Sequence, residues 1–461
     1  MQNLDPAIFK AYDIRGIAGE NLTADVVEKV GKVLGTEAVE QGVKALCVGR
    51  DGRLSGLELS EALIRGIVSA GMDVYDIGME PTPVLYFATH YFETGSGIAV
   101  TGSHNPSRDN GLKMMMAGKT LFGPFIQEIR GRIEREEWNV AEKPGKVYQK
   151  DAETPYFNKI AGDVNLARPM KVILDSGNGV TGPLAVRLYK ALGCEVEGLY
   201  TEVDGRFPNH HPDPSKPRNL EDLIHRLADS DAEIGLAFDG DGDRLGVVTR
   251  SGEIIYPDRQ MMLFAADVLA KHPGSQIIYD VKCTRRLVDW VKSHGGIPTI
   301  SRTGHSFVKA KLQETGAPFA GEMSGHIFFN DGRWPGFDDG LYAGARLLEI
   351  LSRCGDPSAA LHALPTAVNT PELQIPMSEG ENKKFVARLQ KELHFEDASD
   401  EIRIDGLRVE WLDGFALARA SNTTPVVVLR LEGDTVEALD RIKRVFGGAL
   451  KRLSPGIDLP F

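Results

Sequence analysis

Asp239, Asp241 and Asp243 alternate with Gly240 and Gly242, and Arg244 follows them. Carboxylates at i, i+2 and i+4 on one short loop repel each other unless a cation lies among them. An all-oxygen ligand set suits a small hard ion, and Mg²⁺ is the expected one. The glycines let the backbone curl so that alternate side chains converge. So short a loop leaves coordination positions open, and on Mg²⁺ these take water or a phosphate oxygen. An EF-hand would need Gly at its sixth position and Glu at its twelfth, where this chain has Arg244 and Arg250. A solvated acidic turn is the competing account.

Four further segments carry chemically useful groups. Ser103 lies in Thr101-Gly102-Ser103-His104-Asn105-Pro106. A hydroxyl becomes a useful nucleophile when a base, a metal or a helix terminus activates it. This is not a Gly-x-Ser-x-Gly elbow, because Asn105 stands at the last Gly position. Alone it reads as a Ser/Asn turn; beside a metal loop elsewhere in the chain, the functional reading gains. Lys113 is flanked by apolar residues in Gly111-Leu112-Lys113-Met114-Met115. It is either a proton-transfer group with a depressed pKa or an outward-facing strand lysine.

Glu322, Ser324 and His326 share the segment Gly321-Glu322-Met323-Ser324-Gly325-His326. These groups suit sugar hydroxyls; a zinc His-Glu-x-x-His signature is absent, and a polar turn is the alternative. His305, in Thr303-Gly304-His305-Ser306, reads as a helix-start residue. The segment Arg419-Ala420-Ser421-Asn422-Thr423-Thr424-Pro425 is a polar island between apolar strands. One guanidinium fork with short hydroxyl and amide donors is a phosphate-binding set; a hairpin loop of turn formers competes with it.

The elements that must position these loops follow one pattern, repeated three times. An apolar strand ends at Asp, a helix follows, Gly closes it, and a second strand begins. The copies run from Ala45-Leu46-Cys47-Val48 to Asp51, with a helix near 57–69; through Val172-Ile173-Leu174-Asp175, with a helix near 181–192; and through Ile277-Ile278-Tyr279-Asp280, with a helix near 285–294. Each is the start of a βαβ unit. Each is followed by an apolar strand that runs into one of the polar loops above. Ligands of α/β sheets bind beyond strand C-termini, so three equivalent loops are expected to face one cleft. Past the Pro365 to Pro376 stretch, a tail with helices near 380–394 and 434–452 and strands near 401–418 and 426–431 reads as a small α+β domain. The expected units are 1–148, 149–251, 252–364 and 365–461.

Composition narrows the function classes. The 461 residues are 42% apolar and 26% charged, with a net charge of −12. That is normal for a globular protein, and without a Lys/Arg run it argues against nucleic acid. An anionic ligand would need a locally basic pocket. No apolar stretch approaches a membrane span. Cys47, Cys194, Cys283 and Cys354 form no C-x-x-C pair and read as reduced thiols of a cytoplasmic protein.

In chain order, the Ser103 loop, the Asp239–Arg244 loop, the Gly321–His326 segment and the Arg419–Thr423 segment resemble those of the α-D-phosphohexomutases. The stretch Phe9-Lys10-Ala11-Tyr12-Asp13-Ile14-Arg15-Gly16 fits that family's start, and the Met within Gly-Glu-Met-Ser-Gly-His is most similar to its dual-specificity bacterial branch. The resemblance implies three similar mixed α/β domains and a TATA-binding-protein-like α+β domain around a central cleft. It implies that Ser103 carries a phosphoryl group and holds Mg²⁺ together with Asp239, Asp241 and Asp243. It assigns catalytic roles to Arg15, His104, Lys113, Arg244 and His326. Tyr12, Arg15, Lys282, His305, Glu322, Ser324, His326, Arg419, Ser421, Asn422 and Thr423 become substrate contacts. The implied reaction interconverts 1- and 6-phosphates of glucose and mannose through a hexose 1,6-bisphosphate such as glucose 1,6-bisphosphate, in a monomer. A phosphoglucosamine mutase is the nearest alternative, because the contact to C2 is not legible. A phosphomonoesterase would not need the distal phosphate loop, and a non-catalytic sugar-phosphate binder would be expected to have lost Ser103 or an aspartate.

Overall fold

The computed structural model describes residues 4–422 and 424–461. Three of its four sheets share one plan. In the first, Leu46–Arg50 lies between parallel strands Val74–Met79 and Gly97–Val100, and Asp109–Met116 then returns antiparallel to Gly97–Val100. In the second, Lys171–Asp175 lies between Glu195–Leu199 and Ile234–Phe238, and Leu245–Thr249 returns antiparallel to the latter. In the third, Gln276–Asp280 lies between Ile297–Ser301 and Phe319–Gly321, followed by antiparallel Ile327–Phe329. The polar loops at Ser103, Asp239 and Glu322 are therefore the same turn in three sheets: the link from a parallel strand to its antiparallel partner. Strands covered on both faces must be apolar throughout, and every residue of Ile234–Phe238 is buried.

The fourth sheet is antiparallel, in the order Val368–Asn369, Val426–Gly433, Gly414–Ala420, Leu407–Trp411, Asp400–Ile402, with Leu373–Pro376 also paired to Val426–Gly433. Helices Glu381–Glu392 and Val436–Leu453 pack on it. Gly406, at φ +78°, makes one of the turns that divide the 401–418 region into separate strands.

One apolar core runs through the first three sheets, from Cys47 to Leu364. At its junctions Phe87, Tyr156 and Trp334 pack together, and Trp334 stacks on Tyr342 at 4.1 Å. The fourth sheet has its own core. It meets the third mainly through a small cluster of Val281, Phe415 and Leu417 and through polar contacts. Arg408 is the centre of this joint. Its guanidinium lies over Phe415 at 3.7 Å, pairs with Glu410, and donates to the carbonyls of Val281 and Cys283 at 2.6 and 2.7 Å. Arg285 and Arg286 both pair with Asp434.

Arg408→Ala strands two buried carbonyls, each losing a charge-assisted bond worth roughly 1.5–3 kcal/mol. The expected outcome is a lower denaturation midpoint and faster hydrogen exchange in 400–433, with exchange in the first three sheets unchanged. A uniform change along the chain would place the role of Arg408 elsewhere.

Candidate active site

The loop after Ile234–Phe238 turns at Gly242, φ +80°, where a Cβ would lie 2.2 Å from Thr181 Cγ2. Asp239, Asp241 and Asp243 are fully buried, and each presents a carboxylate oxygen within 4.8 Å of the others. Asp241 Oδ1 and Asp243 Oδ1 are buried without a hydrogen-bond partner among the described residues. Three converging carboxylates with spare lone pairs and no sulfur donor fit a hard divalent cation. The first sheet supplies the nearest positive charge, with Lys113 Nζ 2.7 Å from Asp241 and 2.5 Å from Asp243. Burial alone would lower the pKa of this lysine, but the aspartates overcome that and raise it. The expectation of a lysine with a depressed pKa is thus corrected: Lys113 is buried as a counter-ion, neither outward-facing nor neutral. Burial and the charges of Asp241 and Asp243 push Asp239 well above the ordinary carboxylate range; burial opposes ionisation of Asp241 too, but Lys113 keeps it below that range.

Ser103 adopts φ +50°, and its Oγ donates to Asp239 Oδ2 at 3.0 Å across the boundary between two sheets. On its other side lies His104 Nδ1, at 3.1 Å. Burial, helped by the nearby Arg244 and Arg15 charges, keeps His104 neutral. Arg15 bridges Asp13 at 2.6 Å and Asn105 Oδ1 at 2.7 Å, which ties the first strand to the Ser103 loop.

The second and third sheets meet by direct backbone pairing of Arg244 with His326. Arg244 Nε donates to His326 Nε2 at 3.1 Å, so the ring carries its hydrogen on Nδ1, which faces Asp338 at 3.0 Å and Asp243 at 3.4 Å. His305 does open a helix, His305–Thr315, but it also faces the cleft, stacked on His326 at 5.4 Å with Tyr12 edge-on at 5.3 Å. Burial and then Lys309 hold it well below the usual histidine pKa. Glu322 Oε1 accepts from Gly304 N at 2.5 Å, while buried Oε2 has no partner among the described residues. Burial raises the pKa of this group to about 7.

At the far end Lys282 pairs with Glu372 at 3.1 Å, and Arg419 Nε donates to Asp405 at 2.9 Å. Arg419 Nη2 is buried with no partner among the described residues. Ser421 and Asn422 stand beside it; Thr423 lies outside the described residues. One cleft of about 950 Å³ is lined by Tyr12, Arg15, Ser103, His104, Lys113, Arg244, Lys282, His305, Glu322, Ser324, His326, Arg419, Ser421 and Asn422. The structure therefore brings the expected residues together, with the three aspartates beneath the floor. Sequence reasoning missed their partners Asp13, Asp338, Glu372 and Asp405. Asp338, Glu372 and Asp405 meet Lys309, Lys282 and Arg419 at 29, 90 and 14 positions' distance, where no local spacing announces them, whereas Asp13 is two positions from Arg15.

Four family descriptions match the chain in order: phosphoglucomutase/phosphomannomutase alpha/beta/alpha domain I at residues 6–140, domain II at 154–252, domain III at 256–368, and the C-terminal domain at 372–446. A phosphoglucomutase of Neisseria meningitidis is 54% identical over 452 residues, covering 98% of both chains. A phosphomannomutase/phosphoglucomutase of Pseudomonas aeruginosa is 51% identical over 459 residues, covering 99% of this chain and 98% of that one. The crystal structure of a phosphoglucomutase/phosphomannomutase family protein from Burkholderia thailandensis superposes with a TM-score of 0.95 at 56% identity, covering all of both chains.

A cation bound by these carboxylates must compete with their protons and with Lys113. Calorimetric Mg²⁺ affinity is expected to weaken as pH falls, beginning above the ordinary carboxylate range because Asp239 is raised. In Lys113→Met it should strengthen by about tenfold or more, since one adjacent positive charge is gone. An affinity indifferent to both changes would exclude these aspartates as the ligands.

Proposed function

The chain belongs to the phosphoglucomutase/phosphomannomutase family and is a hexose phosphate mutase, an isomerase, and from that premise we propose that Ser103 carries the phosphoryl group between C1 and C6 of glucose and mannose phosphates. The observation that carries this reading is the 3.0 Å contact of Ser103 Oγ with the aspartate cluster of another sheet. Phosphoryl transfer asks a protein chiefly for alignment and charge neutralisation; this contact aligns the oxygen beside carboxylates that would hold the neutralising cation.

Asp239, Asp241, Asp243 and Ser103 would hold a divalent cation, which when bound neutralises charge on the phosphoryl oxygens. With phosphorylated Ser103, a sugar hydroxyl oxygen bonds to phosphorus while the bond from phosphorus to Oγ breaks. The hydroxyl proton goes to His326 Nε2, which Arg244 releases, and the departing Oγ takes a proton from the ammonium of Lys113 at the aspartate cluster; His326 Nδ1 keeps its own hydrogen against Asp338. The resulting hexose 1,6-bisphosphate turns end for end and returns its other phosphate to Ser103. Glu322, whose Oε2 is a buried acceptor without a partner among the described residues, takes a ring hydroxyl, and Ser324 another. Arg419, Ser421, Asn422 and Thr423 hold whichever phosphate is not reacting. Tyr12, Arg15, Lys282 and His305 line the path between the two ends.

Ser103→Ala should abolish nearly all turnover of glucose 1-phosphate and mannose 1-phosphate. Intact-protein mass should lose the single phosphate of the wild type. Near-normal turnover by the variant would end the carrier reading, and preferred turnover of glucosamine 1-phosphate by the wild type would move the substrate to the amino sugar. Arg419→Ala removes a charge-assisted phosphate contact worth on the order of 1.5–3 kcal/mol. KM for each sugar phosphate should rise accordingly, and a wild-type KM would take Arg419 out of the distal site.

A further inference from the structure

Behind the Ser103 loop lies an arginine that the reaction as described does not use. Arg53 has a fully buried side chain. A guanidinium offers five N–H groups in one plane, and here all are taken. Nη2 donates to the carbonyls of Ser103 and Asn105 at 2.8 and 2.7 Å. Nη1 donates to those of Pro106 and Asp109 at 2.5 and 2.8 Å. Nε donates to Asp51 Oδ2 at 3.1 Å.

We propose that Arg53 is the positioning residue of the phosphoryl-carrying loop, gripping its backbone so that Ser103 Oγ faces the aspartate cluster. This inference rests on Ser103 being the carrier. Ser103 sits in a left-handed conformation that L side chains avoid, so neighbouring contacts must impose it. Both sides of its peptide lead back to one ion pair. Ser103 N donates to Thr101 Oγ1 at 2.8 Å, and Thr101 Oγ1 donates to Asp51 Oδ2 at 2.7 Å. The Ser103 carbonyl is held by Arg53, and the second sheet presses from the opposite side, where a Cβ on Gly240 would lie 2.4 Å from that oxygen.

The fit requires glycine and a planar fork. A Cβ on Gly102 would lie 2.4 Å from Arg53 Cζ. Phe207 of the second unit covers the guanidinium at 5.2 Å. Asp51 cancels the charge of Arg53, and the side-chain N–H groups of Arg53 donate to main-chain carbonyls and Asp51, none of them to Ser103 Oγ. The grip is therefore the same whether Oγ is free or phosphorylated, as a carrier that alternates between the two states in every turnover requires. Lysine, with three diverging donors, has no equivalent arrangement.

The test compares Mg²⁺-loaded full-length wild type, Arg53→Lys, Arg53→Ala and Ser103→Ala with glucose 1-phosphate. Misplacing a reacting atom by an ångström costs about 100-fold. Both Arg53 variants should lose kcat on that scale while KM stays within about threefold. Guanidinium ion at a non-denaturing concentration should restore Arg53→Ala by about tenfold or more, a recovery that a merely structural role would not give. If Arg53→Ala does not fold, Arg53→Lys, which keeps the buried charge, decides alone. Near-normal turnover in Ser103→Ala would remove the carrier reading itself. An inactive Ser103→Ala beside an Arg53→Lys with kcat within about threefold of wild type would overturn only the role given to Arg53, as would an Arg53→Ala that guanidinium fails to rescue.

Discussion

Three carboxylates buried within 4.8 Å of one another govern the rest of this structure. Each disfavours ionisation of the others, and burial disfavours all three. The protein offsets that with the ammonium of Lys113 from the first sheet, and the third sheet sets the ring of His326 between Asp243 and Asp338. The cleft therefore alternates in sign within a chain of net charge −12. Three cations that face the cavity each have an acid behind them: Asp13 for Arg15, Glu372 for Lys282, Asp405 for Arg419. Such pairing fixes the direction of each donor while leaving others free, as with Nη2 of Arg419, which has no partner among the described residues.

The two modes of packing fit the two demands of the chemistry. Ser103 and the aspartates belong to different sheets yet must keep a 3.0 Å contact, and a continuous apolar core through three sheets resists relative movement there. The distal loop belongs to a unit with its own core, joined by ion pairs and carbonyl contacts. Polar joints of this kind can open without exposing much apolar surface. The proposed turnover of a bisphosphate inside the cleft would need its reacting end rigid and its other end on a yielding support.

Sequence disclosed what is local. The aspartate loop, the Ser103 loop and the strand-to-loop rhythm each lie within a few residues, and the three similar sheets and the antiparallel fourth unit stand where that rhythm implied. The state of Lys113 was not legible, because it depends on carboxylates 128 and 130 positions away. His305 shows the other limit: its local signal was a helix start, which it is, and only the packing of three units makes it a cleft residue. Arg53 gave no motif at all, since its ligands are main-chain carbonyls and any sequence supplies those.

The aspartate that closes the opening strand of each repeat shows how one architecture serves three purposes. Asp51 takes hydrogen bonds from Thr101 and Gly102 and so holds the Ser103 loop. Asp280 does the equivalent in the third sheet, accepting from Met323 N at 3.0 Å and from the Thr303 hydroxyl at 2.7 Å, which sets both the Glu322 segment and the turn before His305. In the second sheet Asp175 binds His210 instead, at 3.0 Å, and the adjoining His211 reaches the carbonyl of His104 in the first unit. The anchor has thus been turned outward: two units brace their own loops, and the middle one braces its neighbour's. That division follows from the aspartate cluster itself. Its loop is held by Lys113, by Thr82 and by backbone N–H groups that donate to Asp239, and Asp175 reaches through His210 toward the serine loop.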